Sequence, residues 1–301
     1  MLNKKISQEL IHYFPPNPHR IGDNLLTFDI ALQLSHAKRK LIYYASQTVV
    51  EVLKRFDTRS IQYFTVPDLE HAVKLAKKIR PKAITYDLQQ LNHYNHKPHL
   101  RRFFDDNIHP RAKQNWYHPE TIKKWGLLRF SDTFRQMIDL PRINLNRPHL
   151  RINKRDASQL LLFPHCQTPS QQLDFWGDIA DLAVGRFRTG VVGKSIVKQL
   201  ASWPAGINFY CDLSGDELVD IIGNASICIG GANGLSHIAA ELELPLLMIW
   251  GFNDSAIFKP IRNKTVTIIA AEENFGRMKT FSLRILNAIS CFLSLPKLKD
   301  S

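Results

Sequence analysis

The sequence predicts an α/β protein built as two doubly wound domains, and three observations carry that prediction. Short apolar runs of strand length alternate with segments of helical period, as a parallel sheet covered by helices requires. The alternation starts afresh beyond a Pro-punctuated stretch near residue 150. The length of 301 residues is large for one hydrophobic core and matches two domains of roughly 150 residues each. Residues 1–150 form the expected first domain and 151–301 the second, with a linker near Arg147–Asp156.

In the first half, Leu10–Phe14 is an apolar run ended by Pro15, Pro16 and Pro18, a strand stopped by residues that cannot continue a ladder. Asp23–Ser35 has apolar residues at Leu25, Leu26, Ile30, Leu32 and Leu34 and reads as a helix. Lys40–Tyr44 is a second strand and Thr48–Phe56 a second helix; Ile61–Val66 is a third strand. Leu69–Ile79 is amphipathic, with Lys74, Lys77, Lys78 and Arg80 on or near its polar side, and Ala83–Asp87 is a fourth strand. Residues 92–150 are rich in His, Pro, Arg and aromatics and show little periodicity.

The second half keeps the rhythm more clearly. Gln159–Phe163 reads as a buried strand, followed by a polar loop and a helix over Leu173–Val184. Thr189–Val192 is a strand, Ser195–Ser202 a helix and Ile207–Tyr210 a strand. Ser214–Ile222 is a helix with a capping Ser and Asp216 and Glu217 in its first turn. Ser226–Ile229, Asn233–Leu242 and Leu246–Trp250 complete a five-stranded, nucleotide-binding type of domain. The tail from Thr280 to Leu295 reads as a helix that packs back across the domains.

Composition narrows the function classes. Hydrophobic residues at 44% exclude a disordered chain. No apolar run approaches the ~20 residues that span a bilayer, and the N-terminus lacks the apolar stretch of a secretory signal. Four widely spaced cysteines, with no CxxC, fit a soluble protein of a reducing compartment. The net charge of +13 is unevenly divided: residues 1–150 hold 25 Lys+Arg against 13 Asp+Glu, residues 151–301 hold 15 against 14. One domain therefore suits a polyanionic partner, although a basic surface also serves solubility alone.

The sharpest local feature is Gly230-Gly231-Ala232-Asn233-Gly234-Leu235-Ser236-His237, between a buried strand and a helix. A glycine-rich turn into a helix N-terminus presents backbone N–H groups and a partial positive charge, which suits a diphosphate; tight strand–helix packing would require the same glycines. Three other patterns are weaker. Gly190–Ser195 ends like a P-loop, but Arg188 stands where that motif needs its first glycine. His93, His96 and His99 have ligand-like spacing, but Pro98 interrupts them and no acidic or Cys partner completes a metal set. Trp116, Tyr117 and Trp125 lie among basic residues, where stacking on bases or sugars competes with ordinary core packing.

The segment GGANGLSHIAAELELPLLMIWG resembles the donor-site segment of glycosyltransferase family 9, the bacterial lipopolysaccharide heptosyltransferases. Leu213-Ser214-Gly215 through Leu218 to Ala225 is similar to the stretch that precedes that segment in the family. Phe163-Pro164 with Phe175-Trp176 resembles its first C-terminal βα junction. In the first half, Arg20-Ile21-Gly22-Asp23-Asn24-Leu25-Leu26 resembles the family's N-terminal Gly-Asp loop, and Ile79-Arg80-Pro81 through Tyr86-Asp87-Leu88-Gln89 its fourth strand.

The resemblance implies a GT-B fold, two Rossmann-like domains facing each other across a cleft, with the acceptor on the first domain and the nucleotide sugar on the second. It implies an inverting transfer of heptose from an ADP-heptose-like donor to an anionic glycolipid of lipopolysaccharide or lipooligosaccharide core, with no metal and no cofactor. Asp23 matches the family's general base; its alternative use is as a helix cap. Lys194, Leu213, Asn233, Gly234, Leu235, Ser236 and His237 are the implied donor-binding residues. The implied setting is the cytoplasm, peripheral to the inner membrane, with the basic domain on the membrane surface and no nucleic-acid partner. Two positions depart from the pattern. Ala232 replaces the donor-loop Asp, and the 165–172 loop lacks the usual Lys, for which Lys194 is the nearest substitute. These departures leave open another donor, such as a UDP-hexosamine, and a non-catalytic glycan-binding homologue.

Overall fold

Pro15 and Pro16 end the first apolar run, and the chain folds there as that punctuation requires. A computed structural model describes residues 9–35, 39–80, 83–88, 100, 102–104, 130–138, 140–141, 148–152, 159–164, 175–250, 258–262, 266–270, 287 and 289–292. The chain divides into two compact units, Met1–His149 with Ala256–Phe258, and Leu150–Ser255 with Lys259–Ser301. Each is built on a wholly parallel sheet. No described helix is long and apolar enough to cross a membrane.

In the first unit, β1 (Leu10–Phe14), β2 (Lys40–Ala45), β3 (Ile61–Thr65) and β4 (Ile84–Asp87) pair in the order β3-β2-β1-β4. The connecting helices are α1 (Ile21–Ser35), α2 (Gln47–Lys54) and α3 (Leu69–Ile79). The two central strands are buried on both faces, whereas β3 at the edge buries only Ile61 and leaves its other residues half-buried or exposed. Aromatic rings fill the core: Tyr13 lies 4.9 Å from Tyr43 and Phe14 5.2 Å from Phe104, centroid to centroid.

The second unit orders six strands as β10-β9-β8-β5-β6-β7. They are β5 (Gln159–Phe163), β6 (Arg188–Gly193), β7 (Asn208–Cys211), β8 (Ala225–Gly231), β9 (Leu246–Trp250) and β10 (Val266–Ala270). β5, β8 and β9 are buried along their whole length, as continuous apolar runs in a covered parallel sheet must be. This is the doubly wound order, with its reversal between β5 and β8.

The expected strands fall within a residue or two of the observed ones, and four features differ. β10 is a sixth strand where five were expected. The segment after β6 is a 3-10 turn, Ser195–Gln199, and not an α-helix over Ser195–Ser202. There the Val197 carbonyl accepts from Leu200 N and from Trp203 Nε1 at 3.0 Å, which diverts the helical ladder. α1 begins at Ile21, two residues before its expected start. Finally, Phe130–Met137 in the weakly periodic stretch forms a helix, α4. Of the expected C-terminal helix, residues 287 and 289–292 are described, and Ile289 is buried in the second unit's own core.

α4 turns a mixed face inward, Phe134 together with Ser131 and Arg135. Arg135 is only 4% exposed and holds α4 to α1, its guanidinium reaching Asp29 Oδ2 at 2.7 Å and the Gln33 side chain. Asp29 Oδ1 is buried without a hydrogen-bond partner among the described residues. Removing the guanidinium strands the Asp29 carboxylate, so Arg135→Met should cost about 2–4 kcal/mol. The midpoint of urea unfolding measures it.

Candidate functional site

In an open parallel sheet, ligands bind beyond the carboxyl ends of the strands, where the strand order reverses. In the second unit that place is the junction of Phe163 on β5 with Gly230 on β8, which are register partners. β8 there runs through Gly230 and Gly231 into Asn233, the N-cap of α7 (Gly234–Glu241). Asn233 Oδ1 accepts the backbone N–H groups of Leu235 and Ser236, each at 3.1 Å. Its Nδ2 donates to Phe163 O at 2.9 Å, so one side chain ties β5 to the start of α7. The Asn233 amide itself donates to Gly231 O at 2.9 Å.

Ser236 completes the turn. Its hydroxyl donates to Gly231 O at 2.7 Å and lies where a side chain on Gly230 would stand; a Cβ at Gly230 would also press on the Phe163 ring. Gly230 therefore serves the close approach of helix to strand. The amides of Asn233, Leu235 and Ser236 are all engaged internally, which narrows the donors expected of this turn. What it offers outward is the Gly234 end of the helix, with its partial positive charge. Gly234 and Leu235 are half-buried, and His237 in the same first turn is 6% exposed.

Lys194 follows β6 and Leu213 follows β7, so both share this edge of the sheet with the 233–237 turn. β5 intervenes between β8 and β6, which sets Lys194 about 10 Å along the edge from Asn233 by strand spacing. Lys194 is exposed and Leu213 half-buried. Beside Lys194, Asp212 sits in the left-handed region at φ 55° and engages the Ser195 hydroxyl and amide. Those hydrogen bonds, with the Lys194 and Lys198 ammonium groups, hold the Asp212 carboxyl below its usual range. α6 (Gly215–Gly223) then starts on a capping box of Ser214 and Glu217, which fixes the residue after Leu213.

In the first unit, Asp23 occupies the third position of α1, beyond the carboxyl end of β1. Helix capping does not explain it. No described residue hydrogen-bonds its carboxylate, and burial pushes its pKa up to about 6, against the pull of the Arg20 guanidinium. What holds it in place is the next residue. Asn24 is fully buried, donates from Nδ2 to Asn17 O at 2.6 Å and Arg20 O at 2.7 Å, and accepts from Tyr43 Oη at 2.6 Å. Neither Asn24 nor Tyr43 was singled out in the sequence. An Asn inside an apolar helical run was the available signal. His93, His96, His99, Trp116, Tyr117, Trp125 and the 165–172 loop lie outside the described residues.

Residues 192–283 match the model of glycosyltransferase family 9 (heptosyltransferase). The chain resembles that family. No curated protein matches it. Among solved structures, ADP-heptose lipopolysaccharide heptosyltransferase II of E. coli superposes with a TM-score of 0.66 at 14% identity, over 95% of this chain and 98% of that one. A family 9 glycosyltransferase of Veillonella parvula gives 0.65 at 12% identity, over 95% and 97%. The iron-containing dodecameric glycosyltransferase TibC of E. coli gives 0.61 at 15%, over 97% and 76%. The α/β fold with parallel sheets is thus that of the GT-B glycosyltransferases. Family model and neighbours together support a heptosyltransferase-like function.

Two stability measurements probe these arrangements. Asn233→Ala loses a double cap and the tie to Phe163, and should cost about 2 kcal/mol in chemical denaturation. Asp23 titrates near 6 when folded and near 3.8 when unfolded, so the folded state binds the extra proton between those values. Its ionisation therefore costs stability increasingly as pH rises from 4 to 6, and fully above. Asp23→Asn should raise stability at pH 7.5 by about 1–2 kcal/mol and change little at pH 4.

Proposed function

We propose that this chain transfers a heptose-like sugar from a nucleoside-diphosphate donor to an anionic glycolipid of lipopolysaccharide or lipooligosaccharide core, with inversion and without metal. The observation that carries the reading is Asp23, a half-buried carboxylate with its pKa raised to about 6 in the first turn of α1. It is ionised at cytoplasmic pH yet basic enough to accept a proton in a transition state. Around it, the fold and the family resemblance supply the reaction class.

Asp23 takes the proton of the acceptor hydroxyl as that oxygen bonds to the anomeric carbon. The bond from that carbon to the donor phosphate breaks, and the nucleoside diphosphate leaves with the electron pair. Its growing negative charge is met by the N-terminus of α7 at Gly234 and by the Lys194 ammonium. Asn233, Leu235 and Ser236 hold the turn in shape through the hydrogen bonds described above. His237 and Leu213 flank the same edge of the sheet. The basic first unit suits phosphorylated glycolipid at the cytoplasmic membrane surface.

Ala232 favours a second reading in which the donor sugar differs. The family resemblance places an Asp there on the sugar, and a methyl group cannot take its hydrogen bonds. A thermal-shift panel of ADP-heptose, UDP-hexosamines and the free nucleotides separates the two. Stabilisation by ADP-heptose alone supports the first, by a UDP-hexosamine the second, and by none of them a non-catalytic homologue.

Asp23→Asn should lower turnover by about 10²–10⁴-fold, with nucleotide affinity unchanged. The wild-type rate should rise with pH through an apparent pKa near 6, and the variant's residual rate should lack that limb. Near-normal turnover in Asp23→Asn removes this residue as the base.

A further inference from the structure

Part of the positive charge of the first half, visible in the sequence only as a count, has a place in the fold among the described residues. A parallel α/β sheet returns each helix to the next strand at the sheet's amino edge. In the first unit those three returns and the helix ends that lead into them carry most of the described exposed cations, Arg20, Lys74 and Arg102 lying elsewhere. Lys40 opens β2, with Arg39 before it paired to Glu9 at 2.8 Å. Lys54 ends α2, and Arg59 stands exposed before β3. Lys77, Lys78 and Arg80 form the exposed end of α3. The strands bring these returns side by side: Lys40 N bonds Glu9 O, Leu41 N bonds Ser60 O, and His12 Nε2 meets Arg80 O.

The exposed acidic residues described at this edge are Asp57 and Glu9, the latter paired to Arg39. Among the described residues the carboxyl edge is less basic, with half-buried Asp23, exposed Asp68, Glu70 paired to Lys74 at 3.3 Å and buried Asp87 against Arg20. Within the cationic edge stands Ile79, 38% exposed and flanked by Lys77, Lys78 and Arg80.

We propose that this amino edge of the first sheet, centred on Lys77, Lys78, Ile79 and Arg80, is the face that rests on an anionic lipid surface. Cations ringing an exposed aliphatic side chain match headgroup phosphates over acyl chains. A nucleic acid would use the cations and leave Ile79 unexplained. The inference deepens the membrane part of the proposed function and is independent of which sugar is transferred. It also sets an orientation: Asp23 lies at the opposite edge, the length of a five-residue strand or about 17 Å away. The reacting hydroxyl would then belong to a sugar standing off the bilayer, not to one flush with it.

Co-sedimentation of the full chain with vesicles of phosphatidylcholine, with and without phosphatidylglycerol, tests this. Lys77→Gln/Lys78→Gln/Arg80→Gln should weaken partition onto anionic vesicles by about tenfold or more. Ile79→Asp should weaken it further. The charge-matched control Arg186→Gln/Arg188→Gln, exposed in the second unit, should bind as wild type. Nucleotide-induced thermal shift should be unchanged in all of them, which shows that each variant is folded. If the control loses binding while the triple variant keeps it, this edge is wrong and the membrane reading stands. If wild type ignores anionic vesicles, both fail, and tight, salt-sensitive binding to an RNA oligomer would identify the edge as a nucleic-acid surface.

Discussion

The side chain of Asn233 is the constraint on which the second unit's carboxyl edge at β5 and β8 depends. A doubly wound sheet opens a crevice where its strand order reverses, and an open crevice has no backbone pairing to hold its walls at a fixed separation. Here one carboxamide bridges it, with Nδ2 on the β5 carbonyl of Phe163 and Oδ1 on two amides of α7. Asp at this position could cap the helix but could not donate to Phe163, and Ser could not span the gap. The glycine before it and the serine after it follow from the same demand: once the helix start is drawn onto β8, only hydrogen fits at Gly230.

The first unit solves the corresponding problem with a different residue. Asn24 ties the Asn17–Arg20 segment to Tyr43 of β2, and so sets the start of α1 and the carboxylate of Asp23. Both units thus use a buried or half-buried Asn to fasten a strand-to-helix turn. The reason is chemical: an amide both donates and accepts without adding charge. Asp23, whose carboxylate no described residue hydrogen-bonds, stands at this turn with Arg20, and burial raises its pKa against the pull of that guanidinium.

Most strands and helices were legible because their burial is written in apolar period, as in QLLLF and LLMIW, buried from end to end. Two of the features that escaped are held by polar contacts: α4 turns Arg135 inward beside Phe134, and the 3-10 turn after β6 is joined by an indole hydrogen bond from Trp203. At the candidate site, the Gly-Gly-Ala-Asn-Gly turn was legible as a strand-to-helix junction, but not how its amides are used. Asn233 was picked out as a donor-site residue, while its occupation of the Leu235 and Ser236 amides depends on a geometry that spacing alone does not encode. Asn24 and Tyr43 meet only through the β1–β2 crossover, nineteen residues apart.

The buried Arg135–Asp29 pair gives α1 two occupations at once. Its first turn carries the carboxylate proposed to take the proton, and two turns further along it is gripped by α4. Any sequence change that repositions α4 is thereby felt as strain along the helix that presents Asp23. A change that leaves Arg135 closed on Asp29 leaves that shared anchorage intact, and with it the first turn of α1 from which Asp23 projects.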